Sequence, residues 1–198
     1  PFERPRSAND RYEPGKGQGY DMIRAGGAFT LSHYPEGTIP GRHPCELYVV
    51  DGCAVDLTQS GLMQMGNIRG AREVRIEDSC FIARHGGPSR YRHHKAPRIH
   101  IDDKTFPGIP TADRITVANT IANVVDHQGR VAGHGYLRFR LKDGRQVQES
   151  MHCPGEVIEI DCTSGEIARR PWTPQDEFDA ASVPLFREVQ REVEAVLN

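Results

Sequence analysis

The sequence predicts a mainly β protein, an antiparallel β-barrel or β-sandwich with a C-terminal helical segment. Three observations carry this reading. Short runs rich in β-branched residues recur along the chain, separated by turns at Asp51-Gly52, His127-Gln128-Gly129, Asp143-Gly144, Pro154-Gly155 and Ser164-Gly165. No helical pattern alternates with these runs, so no crossover helices of a parallel α/β sheet are expected. Beyond Pro171 the period changes, and Leu185, Val189, Val193 and Leu197 recur every four residues.

A chain of 198 residues suits one domain and can bury a core without disulfides or a structural metal. The apolar share, 37%, is low enough to expect that part of the chain does not pack. Residues 1–27 fit that description. They hold Pro1, Pro5, Pro14 and the run Gly15-Lys16-Gly17-Gln18-Gly19, with little to bury. The glycine run follows no strand and precedes no Gly-Lys-Ser/Thr, so it is read as an extended arm and not as a phosphate loop. Residues 28–172 form the β domain and residues 173–198 a helical segment packed on it.

A formal net charge of −2 gives no one-signed field, so general attraction to nucleic acid or membrane is not expected. No apolar run approaches the ~20 residues of a membrane span. Five cysteines, an odd number without a Cys-x-x-Cys pair, argue for buried reduced thiols and a cytoplasmic setting.

The strands follow in order. Ala28–His33 is a short candidate. Glu46–Val50 and Cys53–Leu57 flank Asp51-Gly52, a hairpin signal. Arg72–Glu77 and Cys80–Arg84 read as a second hairpin. Then come Arg98–Asp102, Ile115–Val125, Val131–Leu141, Arg145–His152, Val157–Cys162 and Glu166–Arg169. The turn-rich stretch 58–70 gives no clear element. Thr173 reads as an N-cap with Pro174 at the first helical position, and Ser182 with Pro184 begins the longer helix.

Histidine, present nine times, is the residue to follow, because it titrates near neutrality and binds metals. Alternation along Arg98–Asp102 sets Arg98, His100 and Asp102 on one face and Ile99 and Ile101 on the other. The isoleucines need burial, so the polar row faces solvent or a polar interior. Just before it, Arg92, His94 and their basic neighbours make a local anion site.

The second signal comes from register. A two-residue turn at Asp143-Gly144 would oppose Leu137, Phe139 and Leu141 to Ser150, Gln148 and Gln146. A three-residue loop, Lys142-Asp143-Gly144, instead opposes Phe139 to Val147 and gathers Leu137, Leu141 and Met151 on one face. That register opposes His134 to His152, Tyr136 to Ser150 and Arg138 to Gln148. Opposed β-carbons lie about 4.5–5.5 Å apart. The two imidazoles could then share a divalent metal, the one cofactor considered, or act as an acid/base pair beside Tyr136. Gly133 and Gly135 would leave room beside His134 for a ligand.

These residues point to proton-transfer or metal-assisted chemistry of a lyase, isomerase or hydrolase, on a small carboxylate-bearing molecule in a barrel pocket. His134, His152, Tyr136 and His100 are the candidate catalytic groups. Arg92, Arg98, Arg138 and His94 are the candidate anion contacts, and His134 with His152 the candidate metal ligands. The alternatives are a non-catalytic anion-binding module and an accessory subunit of a larger complex. A homo-oligomer, built through the arm and terminal helix, is also expected.

Overall fold

The computed structural model describes residues 29–31, 40–43, 45–57, 66–84, 97–102 and 108–179. The expected arm, the basic stretch with Arg92 and His94, and the expected C-terminal helix from Ser182 onward lie outside the described residues.

The protein is mainly β, with three mixed sheets and no closed barrel. The chain winds in coils, each giving one strand to each sheet in turn. The first coil is β1 (Phe29–Leu31), β2 (Cys45–Asp51) and β3 (Ala54–Leu57). The second is β4 (Gly66–Ile68), β5 (Ala71–Glu77) and β6 (Cys80–Arg84). The third is β7 (Arg98–Ile101), β8 (Arg114–Ala118) and β9 (Ile121–Val125). Like strands stack in parallel: β1 on β4 on β7, β2 on β5 on β8, and β3 on β6 on β9.

Two expected hairpins are therefore corners. β2 and β3, joined at Asp51-Gly52, belong to different sheets, and so do β5 and β6. A two-residue hairpin turn of type I′ requires positive φ at both central residues. Here one left-handed residue, Gly52 (φ 60°), Asp78 (44°) or Asn119 (43°), turns the chain onto the next sheet. These corners stack. The Gly52 amide donates to Glu77 O, the Asp78 amide to Ala118 O, and the Asn119 amide to Glu156 O. Asn119 Nδ2 donates to Asp78 Oδ1 (2.6 Å), and Asn119 Oδ1 accepts from the Gly155 amide (3.0 Å). The run expected as one strand over Ile115–Val125 is two strands broken at this corner.

True hairpins close the far end. β10 (Val131–His134) folds back on β9, β12 (Gln146–Ser150) on β11 (Tyr136–Arg140), and β14 (Ile167–Pro171) on β13 (Glu156–Asp161). β11 lies parallel to β7 and β13 antiparallel to β8. After β14, Pro174–Asp176 make a 3-10 turn, with the Asp176 carboxylate accepting from the Thr173 amide and hydroxyl.

The inside of the coil is apolar. Ile68, Ile76, Phe81, Ile99, Ile101, Ile115, Leu137, Phe139, Ile158 and Ile160 are fully buried there. Burying such a side chain contributes about 1.5–3 kcal/mol, so this layer supplies the main drive to fold. It also corrects an expectation. There is no polar barrel interior to hold a substrate, because the space inside the coil is filled by this core. No helix among the described residues is long and apolar enough to cross a membrane.

Candidate functional site: a stacked histidine pair on the coil exterior

The β11–β12 hairpin has the three-residue loop. Leu141 N–H donates to Arg145 O (2.9 Å), and Gly144 sits at φ 91°. Phe139 opposes Val147, Arg138 opposes Gln148, and Tyr136 opposes Ser150. The ladder runs on to Gly135, whose carbonyl accepts the Met151 amide; His134 beyond it belongs to the neighbouring sheet and is not the ladder partner of His152, yet the two side chains meet. Their rings stack, with centroids 4.1 Å apart and planes inclined by 21°.

The two histidines reach this position by different routes. His134 ends β10 and pairs with Asn123 of β9. The chain then changes sheets at Gly135, whose amide donates to Ala122 O, while the Tyr136 amide donates to Pro97 O. A Cβ on Gly135 would lie 2.5 Å from Pro97 O and 3.0 Å from the Cβ atoms of both Pro97 and Ala122. The space at Gly135 is thus taken by Pro97 and Ala122 and not left for a ligand. Gly133, with nothing within 4 Å of its would-be Cβ, does border open space. His152 follows β12, its amide donating to Ser150 Oγ (3.1 Å).

A directed hydrogen bond fixes the tautomer of His152, and His134 Nδ1 faces an amide oxygen. His152 Nδ1 accepts the Ala122 amide (3.3 Å), which puts its ring proton on Nε2. His134 Nδ1 lies 3.1 Å from Asn123 Oδ1. With Nδ1 donating to that oxygen, the neutral His134 ring has its lone pair on Nε2. Burial, and next the neighbouring His134, hold the His152 pKa below the usual imidazole range.

The other candidates gather on the outer face of the sheet that holds β7 and β11. Arg98 lies beside Tyr136, and its Nη1 donates to the Tyr136 hydroxyl (3.3 Å). His100 lies between Asn67 and Arg138 in one row across three strands. Arg98, His100 and Asn67 are only 7%, 5% and 7% exposed, so this face is not a solvated surface. Arg138 is exposed and donates to Gln146 Oε1 (2.6 Å).

Asp102 leaves the row. At φ 49° it turns a corner, and its carboxylate accepts the amides of Gly70 and Ala112, both at 2.9 Å. Burial pushes its carboxyl up, with the two amides pulling the other way. It is a structural corner and not the partner that orients His100.

As they stand, the rings do not fit a shared metal. Imidazole lone pairs lie in the ring plane, and those of two nearly parallel rings with centroids 4.1 Å apart do not converge at the ~2.0–2.1 Å of a zinc–nitrogen bond. His152 Nδ1 is also already spent on Ala122. The adjacent Cys153 is buried, with its thiol pushed up by burial, and Cys162 is pushed up to about 12 by the same cause. Neither is a thiolate nucleophile near neutral pH.

A groove of about 840 Å³ lies elsewhere, over the sheet of β5, β8 and β13. Carboxylates outnumber arginines along it, and Arg75, Arg114 and Arg170 are paired with Glu77, Glu73 and Glu159. It does not suit an anion, and none of the candidate residues lines it. The histidine pair is the better site on chemical grounds, although it lies outside this groove.

Asn123, Asn67 and Ser150 are members of the site that sequence reasoning missed. The alternation of Ile121–Val125 marks Asn123 as polar among apolar neighbours, but nothing in the sequence says which strand lies beside it. No family model, no curated protein and no solved structure matches this chain.

Proposed function

We propose that the protein is an enzyme moving protons on a small carboxylate-bearing molecule at the outer face of β7, β11 and β12. The observation that carries this is the stacked pair itself, with His152 Nδ1 taken by the Ala122 amide and His134 Nδ1 beside Asn123 Oδ1; from it we assign opposite tautomers. His134 presents Nε2 with a lone pair, and His152 presents Nε2–H. One is a base and the other an acid, side by side, without any rearrangement of their partners. Such a pair suits isomerisation or elimination. His134 Nε2 takes the proton on the carbon next to the carboxylate, His152 Nε2–H donates a hydrogen bond to the negative charge that develops, and the protonated His134 returns the proton to the neighbouring atom or to a leaving oxygen.

Arg138, exposed and two residues along β11 from Tyr136, meets the carboxylate only by leaving Gln146 and turning toward the pair. Arg98, buried and bonded to Tyr136, positions that phenol as a hydrogen-bond donor to developing negative charge. The reaction site is the coil exterior, in place of a barrel pocket.

Incubation with a panel of small 2-hydroxy and unsaturated carboxylates in deuterium oxide tests this. Mass spectrometry should find deuterium at the α-carbon of at least one, and His134→Ala should remove the exchange while the melting temperature holds. A carboxylate that binds without exchanging would favour a non-catalytic binding module and contradict the proposal, as would a panel in which nothing binds.

A further inference from the structure

We infer that the open end of the coil joins two copies of this chain, β2 of one pairing antiparallel with β2 of the other about Tyr48. The two ends of the coil differ. At one end every sheet finishes in a strand of a folded-back hairpin, β10, β12 or β14. At the other, among the described residues, every sheet finishes on the first coil, at β1, β2 and β3. β2 is the longest of these, and its Cys45-Glu46-Leu47-Tyr48-Val49-Val50-Asp51 sequence lacks the proline, lysine or bulge that usually blunts an edge.

Its backbone is set for pairing. The Cys45 amide donates to Gly70 O, so in a regular parallel ladder Cys45, Leu47 and Val49 bond inward to β5. Glu46, Tyr48 and Val50 then point their amides and carbonyls away from the coil. Among the described residues no hydrogen bond reaches those outward groups.

The occupant must also cover the end of the core. Cys45, Tyr48, Cys53 and Val55 pack on the buried cluster from this last coil yet are only half-buried, whereas the layer beneath them is closed. A single extended peptide would satisfy the strand edge and leave this layer open. The same end of a second copy offers both an edge and a matching apolar layer.

The sequence of β2 is compatible with that symmetry. With a two-fold axis at Tyr48, the outward-pointing residues pair with one another, Glu46 with Val50 and Tyr48 with Tyr48. Leu47 meets Val49, and no charge opposes its like. Glu46 keeps its ion pair with Arg72 of its own chain (3.2 Å).

Light scattering and amide exchange on the full chain test this together. The mass should be twice the 22.1 kDa of one chain at micromolar concentration, with the amides of residues 46, 48 and 50 protected. Leu47→Lys with Val49→Lys sets lysines opposite one another across the axis on half-buried outer positions. That variant should be a folded monomer with those amides exchanging at least tenfold faster. Should it fail to fold, dilution of the unaltered chain replaces it, and protection should fall as the dimer dissociates. A monomeric chain overturns the inference, and so does a dimer whose three amides exchange freely. A monomer with the amides protected would assign the edge to another part of the same chain and also overturn it.

Discussion

His152 is defined by where its nitrogens are used. Nδ1 accepts a backbone amide, so protonating that atom would break a hydrogen bond in a partly buried place. With burial as the larger cause and His134 the smaller, its titration midpoint should lie below the usual imidazole value near 6.5. The sign for stability follows. The fold disfavours the charged ring, so His152's contribution is present above the ordinary pKa and is lost as pH falls through the lowered one. Proton NMR of the ring should show this, and His134→Ala should move the midpoint upward by removing the neighbouring imidazole. A midpoint at or above the usual value would deny that the pair is coupled.

Asp102 illustrates a residue whose chemistry is consumed by the fold. Asn tolerates the left-handed backbone there, but its amide offers one acceptor where two amides need one each. Asp102→Asn should therefore cost about 1–3 kcal/mol in chemical denaturation. An unchanged midpoint would show that the corner does not depend on the carboxylate. From sequence, Arg98, His100 and Asp102 form one alternating row. The corner that removes Asp102 from it was not legible, because a left-handed aspartate leaves no mark that distinguishes it from a strand end.

Among the elements, the β11–β12 hairpin was the most legible. Only one register buries Phe139 and Val147 together, and the hairpin has it; the meeting of His134 with His152 also needs the change of sheet at Gly135, which was not legible. The β2–β3 junction was not legible, because Asp-Gly serves a reversing turn and a corner equally well. Gly135 was legible as special but for another reason than room for a ligand. Its lack of a Cβ lets β10 pass into β11 against Pro97. Gly135→Ala should destabilise by about 1–3 kcal/mol through forced displacement of backbone. Gly133→Ala, facing open space, should stay within about 0.5 kcal/mol. Thermal melts of the two variants compare the positions directly, and equal effects would refute the crossing described here.

For the whole molecule, coiling explains why a β-rich composition gave no barrel. Each parallel strand pairs with residues a full coil away, and the coils differ in length. The step from Cys45 to Ala71 is far shorter than that from Glu73 to Arg114, so no repeat shows in the sequence. With the inside of the coil filled by the apolar cluster, any chemistry must lie outside it, at places where hairpin ends and coil edges meet. The histidine pair is such a place, joining the end of β10 to the end of β12. Its standing as an acid/base pair depends on which ring nitrogen holds each proton, and long-range ¹⁵N–¹H correlation spectra of the imidazoles at neutral pH read that directly. The predicted result is His152 protonated on Nε2 with Nδ1 bare, and His134 protonated on Nδ1 with Nε2 bare. Two rings with the same tautomer, or both doubly protonated, would contradict it.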